Sequence, residues 1–169
     1  FKIPFVGIEP AIKPAAMQTK SGLIGILATK GTLSSGLFGS TTNDYASEIK
    51  IIEKNAEGLV ELIEKGFIDG DKIEKNLKKY LFPMIDKGID HLVLGCTHYP
   101  LLIKTIRSLI PKNIKIIDSG KAVAKQTKNL IEKNNIESNL IEVKYSFYCN
   151  GSPESLNMIL NNTFAINSI

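Results

Sequence analysis

Cys96 and His98 stand two residues apart in HLVLGCTHYPLL (91–102), directly after an apolar run and just ahead of Pro100. A thiol and an imidazole so placed admit four readings: a buried filler, half of a disulfide, metal ligands, or reacting groups. On position alone the filler is the commonest fate of a lone cysteine. Metal binding lacks its signal, because the chain has no CxxC or HxxxH spacing. Two cysteines, Cys96 and Cys149, are too few for a disulfide framework, and a reducing cytoplasm is the expected compartment. Cys149, within YSFYC, reads as the interior of a strand and a structural residue. If HLVLG is a strand and a helix follows it, Cys96 sits at that helix's N-terminal end. Free N–H groups there favour thiolate and draw a cysteine pKa from about 8.5 toward neutrality. His98 could then tune or protonate the group. A cysteine hydrolase using the pair fits poorly, since residues two apart at a turn rarely orient as nucleophile and base.

The elements that would position these groups alternate along the chain. PFVGIE (4–9), GLIGILAT (22–29), EIKII (48–52), HLVLG (91–95), IKIID (114–118) and EVKYSFYC (142–149) read as strands. HLVLG is a continuous apolar run, as in a strand covered on both faces. Helical patterns lie between them. One runs through LSSGLFGSTTNDYASE, capped by Thr32 or Ser34, and a short one lies in GLVELIEKG (58–66). A longer one from Asp71 places Ile73, Leu77, Leu81 and Ile85 at fourfold spacing, with Pro83 a kink and Gly88 a stop. Further helices are expected from Thr97 to Ile110, Lys121 to Lys133 and Ser152 to Leu160. This rhythm predicts an α/β fold, a parallel sheet with helices on both faces. NNIESN (134–139) is the most plausible boundary, so the last strand and helix are free to pack apart from the first 120 or so residues.

Ligands of such sheets bind at the carboxyl ends of the strands. Three turns qualify: ATKGT (28–32), GCTHYP (95–100) and DSG (118–120). Their glycines and hydroxyls let backbone N–H groups approach an anion, carboxylate as well as phosphate. Neither GxxxxGK[ST] nor GxGxxG is present, so nucleotide binding lacks its usual signal.

Composition narrows the class. The 169 residues are 43% apolar and 22% charged, with a formal net charge of +4, the profile of a soluble globular domain. No apolar run approaches the roughly 20 residues that span a bilayer. The basic residues are almost all lysine, Arg107 being the single arginine, and they interleave with Glu. That pattern is solvated helix surface rather than a nucleic-acid face, which clusters its cations and favours Arg. No nucleic acid and no membrane are therefore expected as partners. The chain opens FKIPFVGIEP without Met, as a piece of a longer protein would.

GCTHYPLL resembles the signature around the second catalytic cysteine of the glutamate racemases, within the aspartate/glutamate racemase family. GIEPAIKPA (7–15), GILATKGT (25–32), LVELIEKG (59–66), IDSG (117–120) and FYCNGSPESLNMIL (147–160) resemble blocks of that family in the same order. HYP after GCT is the most specific element, since aspartate and hydantoin racemases resemble the chain only as far as GCT.

The resemblance implies cofactor-independent interconversion of L- and D-glutamate, supplying D-glutamate to peptidoglycan. Two cysteines on opposite faces of the substrate would work in turn, one removing the α-proton as thiolate and the other returning a proton as thiol. Carried over, Cys96 is one acid/base group, the one associated with the L enantiomer, with His98 assisting it and Glu64 aiding proton handling. Thr97 would bind substrate through backbone and hydroxyl. Thr29 and Thr32 match positions near the substrate carboxylate, with capping as their structural alternative. The architecture implied is one domain (1–120) of a two-domain pseudo-symmetric racemase, plus a segment (121–169) that rejoins a missing N-terminal domain. Glutamate, that missing domain and a possible homodimer are the partners implied. The family's first catalytic cysteine, in a CNT-type motif, is absent from this chain, and many relatives have Cys-Pro where NAEGLVELIEKG stands. The fragment alone is therefore expected to be inactive. A non-catalytic racemase-like binding module, or a racemase of another acidic amino acid such as aspartate, are the alternatives.

Overall fold

Four strands pair into one parallel sheet. The computed structural model describes residues 3–45, 48–136 and 145–164. In chain order the first elements are α1 (Ile12–Gln18), β1 (Leu23–Ala28), α2 (Lys30–Leu33), α3 (Gly36–Tyr45), β2 (Lys50–Asn55) and α4 (Leu59–Glu64). They are followed by α5 (Asp71–Ile85), β3 (His91–Gly95), a 3-10 turn (Tyr99–Leu102), α6 (Ile103–Leu109), β4 (Lys115–Ile117), α7 (Gly120–Lys133) and α8 (Pro153–Phe164). The strand order is β2-β1-β3-β4, with every neighbouring pair parallel.

Alternation along the central strands feeds two cores. Leu27, Leu92 and Leu94 point to one face, where they meet Leu59 and Ile63 of α4, Leu77 and Leu81 of α5, and Ile106 of α6. Ile24, Ile26, Ala28 and Val93 point to the other, against Ile12 and Ala15 of α1 and Phe38 of α3. Both faces of the sheet are covered, as the apolar runs predict. Each fully buried aliphatic side chain here removes enough apolar surface to contribute about 2 kcal/mol.

The long helix follows its pattern closely. Asp71 and Glu74 lie in the first turn of α5, where negative charge is favoured. The helix runs through Pro83 to Ile85, and Gly88, at φ +88°, turns the chain toward β3.

Other expectations are corrected. Residues 4–9 form no strand; Phe5 is 71% exposed, and this segment pairs with none of the four strands. The helix expected from Thr32 or Ser34 is two helices. Thr29 caps α2, whose Thr32 N–H donates to its hydroxyl, and Ser35 caps α3 by accepting from Phe38 N–H at 3.2 Å. The strand expected at 48–52 is displaced to β2, an edge strand carrying Lys50, Glu53 and Lys54, charges that suit an unpaired edge. The helix expected from Thr97 begins instead as the 3-10 turn, with Pro100 in its first turn, where a missing N–H costs no helical bond. β4 is an edge strand too, and none of its residues is fully buried.

Of EVKYSFYC, residues 142–144 lie outside the described residues, as do residues 137–139 of NNIESN. Residues 145–149 are irregular, and Cys149 is exposed rather than the strand-interior residue expected. No described residue of α7 is buried. α8 lies against α4. Its Met158 stands over Gly66, where an added Cβ would come within 1.5 Å of Cε. Gly66 also takes φ +84° and closes α4, its N–H donating to Ile63 O.

Candidate active site

The chain leaves β1 toward β2 on one side and returns to β3 and β4 on the other, so strand order reverses between β1 and β3. A crevice must open outside the carboxyl ends of two strands whose connections diverge in this way. A cavity of about 660 Å³ lies there. Thr29 and Thr32 from the ATKGT turn, Cys96 and Thr97 from GCTHYP, and Asp118 and Ser119 from DSG all line it. The three turns singled out from the sequence thus surround one cavity. Ile8, Glu9 and Pro10 form a further wall that strand periodicity missed, although GIEPA was visible as a block. Ser119 holds that wall by donating its hydroxyl to Glu9 O.

Cys96 is partly buried between this cavity and the larger core. Its thiol departs from the expected behaviour. Burial pushes the pKa up, and hydrogen bonds from the N–H groups of His98 and Tyr99 only partly pull it back. The element after Cys96 is a four-residue 3-10 turn, too short to carry the dipole of a full helix. The thiol, not the thiolate, is therefore favoured at neutral pH.

His98 and Glu64 are brought to Cys96. His98 Nδ1 lies 3.9 Å from Cys96 Sγ, and His98 Nε2 lies 3.3 Å from Glu64 Oε1. Glu64 reaches this point because α4 is anchored at its start. Tyr99 O–H donates to Ala56 O at 3.3 Å, and Tyr80 O–H donates to Glu57 O at 2.8 Å. Burial first, then the neighbouring Cys96, Tyr80 and Glu61, hold the Tyr99 phenol far above its ordinary pKa, so it stays a neutral donor. Buried Leu59 and Ile63 then fix the face of α4 that turns Glu64 toward His98. The resulting series, carboxylate to imidazole to thiol, can relay charge toward sulfur or steady a proton there.

The threonines divide. Thr97 faces the cavity without a hydrogen-bond partner among the described residues. Thr29 and Thr32 are mutually bonded at 3.1 Å, and Thr32 donates to Gly95 O at 3.0 Å. An added Cβ at Gly95 would stand 2.9 Å from Ala28 Cβ, so only glycine lets β1 and β3 close up beneath the turn.

The strand reversal with a partly buried cysteine at its crevice defines an open parallel α/β domain with a ligand-binding crevice at the strand ends. The chain belongs to the Asp/Glu/hydantoin racemase family, whose model matches residues 1–127. It is 40% identical over 157 residues to a glutamate racemase of Pseudomonas putida, covering 93% of this chain and 59% of that protein. Among solved structures it is similar to Escherichia coli glutamate racemase, determined with L-glutamate and the activator UDP-MurNAc-Ala. That likeness has 38% identity and a TM-score of 0.70, over 78% of this chain and 50% of the other. A glutamate racemase isoform of Bacillus anthracis matches with 28% identity and a TM-score of 0.76, over 95% and 61%. The chain thus spans about three fifths of the length of the curated relative it matches. Among the described residues no helix is long and apolar enough to cross a membrane.

Proposed function

We propose that this chain is the part of a glutamate racemase that carries one of its two proton-transfer cysteines, Cys96. The observation that carries the reading is the Cys96–His98–Glu64 series, with Cys96 on a cavity at the strand reversal. L-glutamate bound to the Escherichia coli relative supports the choice of substrate.

Inversion at Cα needs an acid and a base facing each other across the carbon. On one face a thiolate takes the α-hydrogen as a proton, breaking C–H and forming S–H. On the other a thiol gives its proton to the carbanion, forming the new C–H and leaving a thiolate. Cys96 serves one face, and the group for the other belongs to a part of the protein outside this chain. Burial favours the Cys96 thiol, the form that gives a proton when D-glutamate is the substrate. In the reverse direction His98, steadied by Glu64, helps to carry the charge of the reacting sulfur. Thr97 offers a hydroxyl proton to a substrate carboxylate, and fixed N–H dipoles stabilise the developing carbanion. D-glutamate produced in the cytoplasm would serve peptidoglycan synthesis.

The test is glutamate inversion with α-hydrogen exchange in deuterated water by the full-length protein. Cys96→Ser should lower turnover by about 10²–10⁴-fold while leaving the unfolding midpoint in place. Unchanged turnover removes Cys96 from the mechanism. No turnover by the full-length wild type favours the non-catalytic module, and preference for aspartate in a substrate panel favours the other racemase. The chain by itself should not invert glutamate, and exchange with inversion by this chain alone would overturn the two-part reading.

A further inference from the structure

The hydroxyl hydrogens around the cavity can be counted. Each Ser or Thr hydroxyl has one hydrogen to donate and lone pairs to accept with. Gly95 O can only accept, so the 3.0 Å bond between it and Thr32 Oγ1 uses the Thr32 hydrogen. The 3.1 Å contact between the two threonines must then use the Thr29 hydrogen, with Thr32 Oγ1 accepting. The chain of donation runs Thr29 to Thr32 to Gly95. Thr29 Oγ1 meanwhile accepts from Thr32 N–H at 3.4 Å. A carboxylate can only accept, and in this arrangement neither threonine has a hydrogen left for one.

What the chain of donation reaches is the peptide that carries the thiol. Gly95 O belongs to the peptide linking Gly95 to Cys96, at the last residue of β3. On the other side of the thiol, Cys96 O accepts from Tyr99 N–H at 3.2 Å. Thr32 stands just after β1 and Gly95 ends β3, so the bond also ties together the two strands between which the crevice opens.

We propose that Thr32 is a positioning residue for Cys96, fixing its peptide through the Gly95 carbonyl, rather than a ligand of the substrate carboxylate. Thr29 supports it by supplying the hydrogen that orients the Thr32 hydroxyl. For its turnover readout this inference rests on the racemase reading; for its chemical readout it does not.

The experiment compares Thr32→Val, which keeps shape and loses the hydroxyl, with Thr32→Ser, which keeps the hydroxyl, in the full-length protein. Cys96 alkylation by iodoacetamide is followed without substrate, by mass spectrometry of the Cys96 peptide. Thr32→Val should speed alkylation at least about threefold, as the thiol gains freedom, and Thr32→Ser should restore the wild-type rate. In turnover, Thr32→Val should lower kcat about tenfold with KM within about twofold, and Thr32→Ser should recover most of it. Raised KM with kcat and alkylation unchanged would make Thr32 a substrate ligand and overturn the proposal. Unchanged alkylation in Thr32→Val would overturn it even if the protein showed no racemase activity. Should circular dichroism show that the valine variant is unfolded, Thr32→Ala is judged by the same readouts.

Discussion

Nε2 of His98 lies 3.3 Å from Oε1 of Glu64, joining the turn after β3 to the end of α4. The carboxylate is 44% exposed, so as an ion pair it adds little stability. Its effect should be chemical instead. Glu64→Gln is expected to leave the unfolding midpoint unchanged, lower turnover about tenfold and displace one limb of the pH–rate profile. A full pH–rate series on the variant checks this. A profile and rate identical to wild type would make Glu64 a solvated helix residue.

The buried thiol makes a pH prediction of definite sign. Because burial raises the Cys96 pKa, the thiolate fraction at neutral pH is lower than for an ordinary cysteine. Alkylation of Cys96 should therefore keep accelerating with pH beyond the point, about 8.5, where an unperturbed thiol is half ionised. Ionisation of Cys96 at or below that point would contradict the assignment.

At the opposite end of the sheet Asp90 gathers donors. It accepts from Thr19 O–H at 2.7 Å, Lys20 N–H at 2.6 Å, Ser21 N–H at 2.9 Å and His91 Nδ1 at 2.7 Å. Burial opposes its charge, but the hydrogen bonds from His91, Thr19, Ser21 and Lys20 outweigh burial and hold its carboxyl well below the usual range. A depressed folded-state pKa contributes stability above the unfolded-state value, and that contribution is lost as pH falls through the folded-state value. Asp90→Asn should cost about 2 kcal/mol at neutral pH, and the difference from wild type should shrink below about pH 4. Urea unfolding at several pH values measures both effects.

Gly66 carries two constraints, φ +84° and the Met158 methyl above it. Gly66→Ala should destabilise the protein by about 1–3 kcal/mol. In the double variant with Met158→Ala, the steric part should be recovered and the backbone part should remain. A thermal-unfolding double-mutant cycle separates the two, and strict additivity would show that Met158 does not press on this position.

The layered α/β architecture was legible because its signals are local. HLVLG, GLIGILAT and the fourfold spacing from Ile73 declare buried strands and a helix from neighbouring residues alone. The same signals failed at residues 4–9 and 145–149, where β-like side chains form no strand, since a strand exists only where another strand accepts its hydrogen bonds. The three turns that line the cavity were readable, because strand ends are visible in sequence and the crevice rule follows from topology.

The sequence by itself thus determined the elements, the turns that bear hydroxyls and sulfur, and the family words around Cys96. Only the tertiary structure decided how the thiol ionises. Desolvation depends on what packs over the sulfur, and here it outweighs the N–H groups that sequence position supplies. It also decided that Glu64 meets His98 and that Thr32 spends its one hydrogen on Gly95. These contacts join residues far apart in the chain, and spacing along a sequence carries no information about distance across a fold.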